Sequence, residues 1–171
     1  MPVFVRMIAR AKWEQSAELR ESEIAADAVT GDLRTTQNGL SFWRCPAAEV
    51  VELESAALAM AAARDRLDRL DLVYLDEEGI RASGLRTRST PGNTPVSSLR
   101  SSHIDVDRLD LTRLGTIAAM IARAHRTNAV LKMSRLEVLA VLVRAVRDGL
   151  LSTDSLRGDL KTKVEAALGI A

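Results

Sequence analysis

The chain has 171 residues, 47% of them hydrophobic and 27% charged, with 24 Lys and Arg against 23 Asp and Glu. This is a globular composition, long enough for one domain or two small ones, and it excludes an intrinsically disordered chain. One cysteine excludes an intramolecular disulfide framework and an all-thiolate zinc site, and the apolar stretch Val138 to Val143 is much too short to span a bilayer.

Pro2 to Ala9 alternates Val3, Val5 and Met7 with Phe4, Arg6 and Ile8, the period-two signature of a strand. Arg6 and Arg10 interrupt the apolar run that a secretory leader would need, so a cytoplasmic protein is expected. Ser16 to Val29 is ambiguous: Glu18 through Ala28 has helical composition, weakened by Ser22, Asp27 and Thr30. Asn38-Gly39 suits a two-residue type I′ turn, and its flanks, 32–37 and 40–45, predict a β-hairpin. Cys45 closes that hairpin among apolar residues and reads as a buried structural thiol. Pro46 opens a helical pattern reaching Leu67, with Val50, Leu53, Ala57 and Met60 on one stripe. Leu70 to Leu75 reads as a strand, Asp76 to Gly79 as a turn, and Ile80 to Leu85 as a further strand.

From Arg81 to Ile104 the texture changes. Ser, Thr, Gly, Pro and Asn supply 14 of these 24 residues, and the segment holds four arginines and no acid. Residues 1–80 carry a net charge of −6 and residues 105–171 one of +3. All five aromatic residues precede this seam; His103 and His125 lie at or after it. The seam reads as a linker with a mean span of roughly 25 Å if flexible. Its charge predicts that it lies along the acidic half, with Pro91 and Pro95 shaping the crossing.

The remainder reads as helices. Leu109 to Arg126 places Leu114, Ile117, Ala118, Ile121 and Ala124 at helical spacing. Ser134-Arg135-Leu136-Glu137 fits a capping box opening a helix that stops at Gly149. A last helix, Thr153 to Leu168, turns Leu156, Leu160 and Val164 inward and stops at Gly169. The fold class expected is α+β: a mixed α/β unit over 1–80 with a small sheet, a β-hairpin and a covering helix; a linker over 81–104; and a three-helix bundle over 105–171. The middle helix is apolar on nearly all sides, so it must be surrounded, either by its own neighbours in a self-contained bundle or by the first half, a second copy or a partner.

Chemistry-bearing patterns are sparse. His103-x-Asp105-x-Asp107 would converge on one side if extended, as a metal site or a general base requires. The stronger reading makes Asp105 or Asp107 the cap of the oncoming helix. Asp76-Glu77-Glu78 is read as a solvated turn and His125 as a core histidine. No phosphate loop, nucleophile elbow or dinucleotide fingerprint occurs, and no cofactor or metal site is expected. The reading that remains is a non-enzymatic protein-interaction module, an accessory or regulatory subunit. It would bind a protein partner or itself through Arg86, Arg88, Arg144 and Arg147. The alternative is nucleic-acid binding by the seam arginines together with Arg157, Lys161 and Lys163. Against this stand the lack of aromatics after residue 80 and a pI near 7.9.

Overall fold

The computed structural model describes residues 1–14 and 23–170. Strands β1 (Val3–Met7), β2 (Leu40–Cys45), β3 (Leu70–Asp76), β4 (Arg86–Ser89), β5 (His103–Asp107) and β6 (Val130–Met133) form one sheet in the order β4-β5-β2-β1-β3-β6. All five pairings are antiparallel. Among the described residues seven helices surround it: α1 (Arg10–Trp13), α2 (Ala26–Asp32), α3 (Val50–Ala62), α4 (Glu77–Ala82), α5 (Leu111–Arg126), α6 (Arg135–Arg147) and α7 (Gly158–Leu168). The α+β class expected from the sequence holds.

Successive side chains of a strand face opposite ways, so each central strand serves two cores. Val3, Val5, Trp43, Cys45, Leu70, Leu72 and Met133 point to face A, where α3, α6 and α7 pack. Phe4, Leu40, Phe42, Val73, Leu75 and Val106 point to face B, beneath α2, α4, α5 and Trp13 of α1. The result is a sandwich of helix layer, sheet and helix layer.

The three segments read from the sequence all supply strands to this sheet. Residues 105–171 do not close on themselves as a three-helix bundle. Val130–Met133, between α5 and α6, adds to the sheet beside β3 and carries the chain from one face to the other. Thus α5 lies on face B while α6 and α7 lie on face A. Four residues are too few to display a clear alternation, which hid β6 in the sequence. Part of the apolar circumference of α6 is covered by α3 and α7, with Val138, Val141, Leu142 and Ala145 turned inward and Leu136 exposed.

The seam is ordered. It forms β4, a 3-10 turn at Ser97–Ser102 and the first residues of β5. Val96 is fully buried in the face-A core. Gly92 lies against the Trp43 ring and the His103 Cβ so closely that any side chain there would collide with both. Of the seam arginines, Arg81 pairs with Glu77 of the acidic half, within α4.

Local readings fared unevenly. Gln37 and Asn38 both adopt positive φ, 53° and 60°, so the I′-like turn lies one residue before Asn38-Gly39. Only Thr36 and Gly39 pair across it, because the preceding limb is α2 and a loop. No β-hairpin forms. The doubtful stretch Glu18–Ala28 lies partly outside the described residues; its end enters α2. Ile80–Leu85 is not a strand: Asp76 Oδ2 accepts the Gly79 N–H and caps α4 instead. The capping box of α6 is present in both directions, and Gly169 ends α7 in the left-handed region.

Candidate interaction surfaces

The motif His103-x-Asp105-x-Asp107 is β5 itself, so its three side chains share face A; neither aspartate caps α5, a role taken by Asp110. This stretch of face A lies beyond the helices and beneath the seam. Asp105 Oδ1 accepts from Ser41 Oγ at 2.9 Å and Oδ2 from Thr90 Oγ1 at 2.8 Å. The Thr90 hydroxyl also meets His103 Nδ1 at 2.9 Å. With the hydroxyl proton given to Asp105, His103 Nδ1–H is the donor to Thr90. Nucleophilic catalysis needs the imidazole between hydroxyl and carboxylate. Here the hydroxyl stands in the middle, an order that clamps the seam to β5. Trp43 meets the His103 ring edge-on, with centroids 5.2 Å apart.

Arg86 and Arg88 stand on β4, the outermost strand, in register with Asp107 and Asp105. All four β4 residues are exposed. Neither guanidinium pairs with any described residue. The carboxylate opposite Arg88 is already satisfied by Ser41 and Thr90, which leaves that arginine unused by the fold. Asp107 keeps one buried carboxylate oxygen without a hydrogen-bond partner.

Arg144 and Arg147 are exposed on α6 and form a separate patch, since the strand that α6 touches is β6, at the opposite edge of the sheet. Arg144 reaches across to Glu54 of α3. Between the two helices runs a groove of about 330 Å³, lined by Val51, Leu58, Val141, Ala145 and Leu150 with Glu54 and Asp148 at its margin. Val51 is 72% exposed and Leu150 50%. The sequence reading missed both. The burial pattern of α3 explains this, because Leu53, Ala56, Ala57, Leu58, Ala59, Ala61 and Ala62 are all buried and no single stripe stands out. The adjacent pair Val50-Val51, at the start of a helix already apolar on all sides, was the available signal.

The remaining candidates are structural. Glu77, read as part of a solvated turn, is 7% exposed and held by Arg44 at 2.9 Å and by Arg81. Burial pushes the Cys45 thiol up to about 11, with Glu52 adding to the shift, so the buried thiol stays protonated at neutral pH. His125 is half-buried on α5. Among the described residues no group of three or more His, Cys, Asp or Glu could hold a metal ion, and no helix is long and apolar enough to cross a membrane.

Comparison with protein-family models, with curated proteins and with solved structures gives no match.

Proposed function

We propose that this chain is a non-enzymatic interaction module, an accessory or regulatory subunit that seats an amphipathic helix of a protein partner in the α3–α6 groove. The observation carrying this reading is the pairing of two exposed aliphatic side chains, Val51 and Leu150, across a floor of Leu58, Val141 and Ala145. An apolar centre within a charged rim is the anatomy of a protein interface, and a groove between two helices suits a third. The rim offers both signs, Glu54 and Asp148 with Arg144, which favours a partner helix flanked by mixed charge.

The nucleic-acid alternative loses support at α7. Arg157 pairs with Asp65 at 3.4 Å, Lys161 with Asp154 at 3.3 Å and Glu165 at 3.6 Å, and Lys163 with Asp159 at 3.2 Å. Each pair is weak in stability terms, but together they leave that helix little net field for phosphates.

Site-specific photocrosslinking in the source cells tests the reading. A photoreactive residue at position 51 or 150 is expected to give one protein adduct, and the same residue at exposed Leu111, on face B, none. Val51→Asp combined with Leu150→Asp should abolish the adduct of a probe at position 58. An adduct to nucleic acid, or none from either position, refutes the proposal; an adduct of the chain to itself removes the accessory-subunit role.

A further inference from the structure

A second surface is carried by a different observation, independent of the groove. β4 is the outer strand of the sheet and all four of its residues are exposed. The Thr90 N–H donates to the His103 carbonyl at 3.4 Å. In an antiparallel ladder bonded and non-bonded pairs alternate, so Arg86 and Arg88 occupy bonded pairs with β5. The N–H and C=O groups of Thr87 and Ser89 therefore point away from the sheet.

We infer that this edge receives an extended acidic segment of a partner protein as a seventh, antiparallel strand. Thr87 and Ser89 supply the main-chain hydrogen bonds, while Arg86 and Arg88 face carboxylates at alternate positions of the incoming strand. On the outward side the arginines fall at non-bonded positions, where cross-strand side chains approach most closely. An incoming carboxylate lies about 5 Å from the arginines, one strand away, but about 10 Å from Asp105 and Asp107, two strands away. The longer distance is about one Debye length at 0.1 M salt, so the arginines dominate the field at the edge. Asp105 is further weakened as a competitor by its two hydroxyl donors.

The same charges select the occupant. Exposed strand edges invite pairing, and proteins blunt them with cations. A second copy pairing here would crowd four guanidiniums together, whereas an acidic strand relieves the two that the fold leaves unpaired. The edge is thus closed to itself and open to one chemistry.

The test uses the full chain, labelled for amide spectroscopy, with an eight-residue alternating Glu-Val peptide as probe. An alternating Lys-Val peptide and a single-stranded oligothymidylate serve as the other arms. The Glu-Val peptide should shift the Thr87 and Ser89 amides and slow their exchange, and the Lys-Val peptide should not. Arg86→Glu with Arg88→Glu should weaken the Glu-Val peptide by about tenfold and admit the Lys-Val one. These side chains make no hydrogen bond or ion pair with any described residue, so this variant breaks none, whatever the next does to the fold. Thr87→Pro removes an outward N–H at an edge position, where proline is tolerated, and should abolish the slowed exchange. Peptide binding that survives Thr87→Pro overturns strand addition. So does oligothymidylate perturbing these amides where the Glu-Val peptide does not. Slowed exchange that rises with protein concentration alone would make a second copy the occupant and overturn the proposal as well.

Discussion

The two faces of the sheet are built from different chemistry. Face A is aliphatic and alanine-rich: α3 buries five alanines, and α6 and α7 add Val138, Val141, Leu142, Leu160 and Val164. Face B holds both phenylalanines, packed with centroids 6.2 Å apart, and it admits charge. Arg6 lies in it, 5.7 Å above the Phe42 ring, donating to the carbonyls of Ser41 and Asp32. Burial lowers its pKa to about 10, Asp32 opposing the shift, so the guanidinium stays cationic at neutral pH. Asp32 Oδ2 accepts from Trp13 Nε1 and the Ala9 N–H, both at 2.7 Å, and ties α1 to α2. Glu77 with its two arginines and His125 belong to the same face. One sheet therefore joins a face whose helices meet it through aliphatic packing, its histidine and carboxylates confined to β5, to a face that holds charge beneath its helices.

Cavity formation should show how tightly the two are joined. Phe42 and Leu142 are each fully buried, on faces B and A. Phe42→Ala is expected to cost about 3–5 kcal/mol and Leu142→Ala about 2–5 kcal/mol, measured by urea unfolding. The aromatic loss also strips the ring beneath Arg6. Because β1, β2 and β3 feed both cores, each variant should retain one cooperative transition with an unchanged slope. A biphasic curve for either would divide the molecule along the sheet and break the comparison.

Charge separates the faces at the next level. In Glu77→Gln, Arg44 and Arg81 lose their shared carboxylate. A fully buried pair broken this way costs 3–5 kcal/mol, but these arginines are 48% and 70% exposed and regain water. A loss of about 1–3 kcal/mol is expected, shrinking as salt is raised. Leu142→Ala should show no such salt dependence.

What the sequence disclosed follows the range of the interactions involved. Local signals were legible: the alternation of β1, the capping box at Ser134 and Glu137, and the glycine stop at Gly169 each depend on a few neighbouring residues. Pairing across distance was not. Gly92 looks like a linker glycine until Trp43, far away in sequence, is laid against it. Arg6 reads as the polar side of a strand until Asp32 and Phe42 surround it. The alternation of His103, Asp105 and Asp107 was visible, and the structure made it extended. Their use depends on Thr90 and Ser41, which no spacing rule links to β5. Of the four arginines picked as contacts, Arg86 and Arg88 share the sheet edge and Arg144 and Arg147 share α6. Charge alone gave no sign that they would fall into two patches.

The smallest expected difference between the faces is their response to acid. His125 is half-buried, and burial is the main cause holding its pKa below the usual 6.5; Arg10, Lys132 and Arg126 reinforce the shift and Glu14 opposes it. The unfolded chain therefore binds a proton at a higher pH than the folded one does. Stability from the neutral imidazole is fully present above the unfolded pKa and declines as pH falls through about 6.5 toward the lower folded value. His125→Gln cannot titrate, so its urea midpoint should fall less between pH 7 and pH 5 than that of the parent chain. Carboxylates contribute equally to both proteins over that range, and the difference isolates the histidine. Leu142→Ala, which leaves every titrating group in place, should keep the parent slope. If His125→Gln keeps it too, the imidazole gains its proton without cost in the fold.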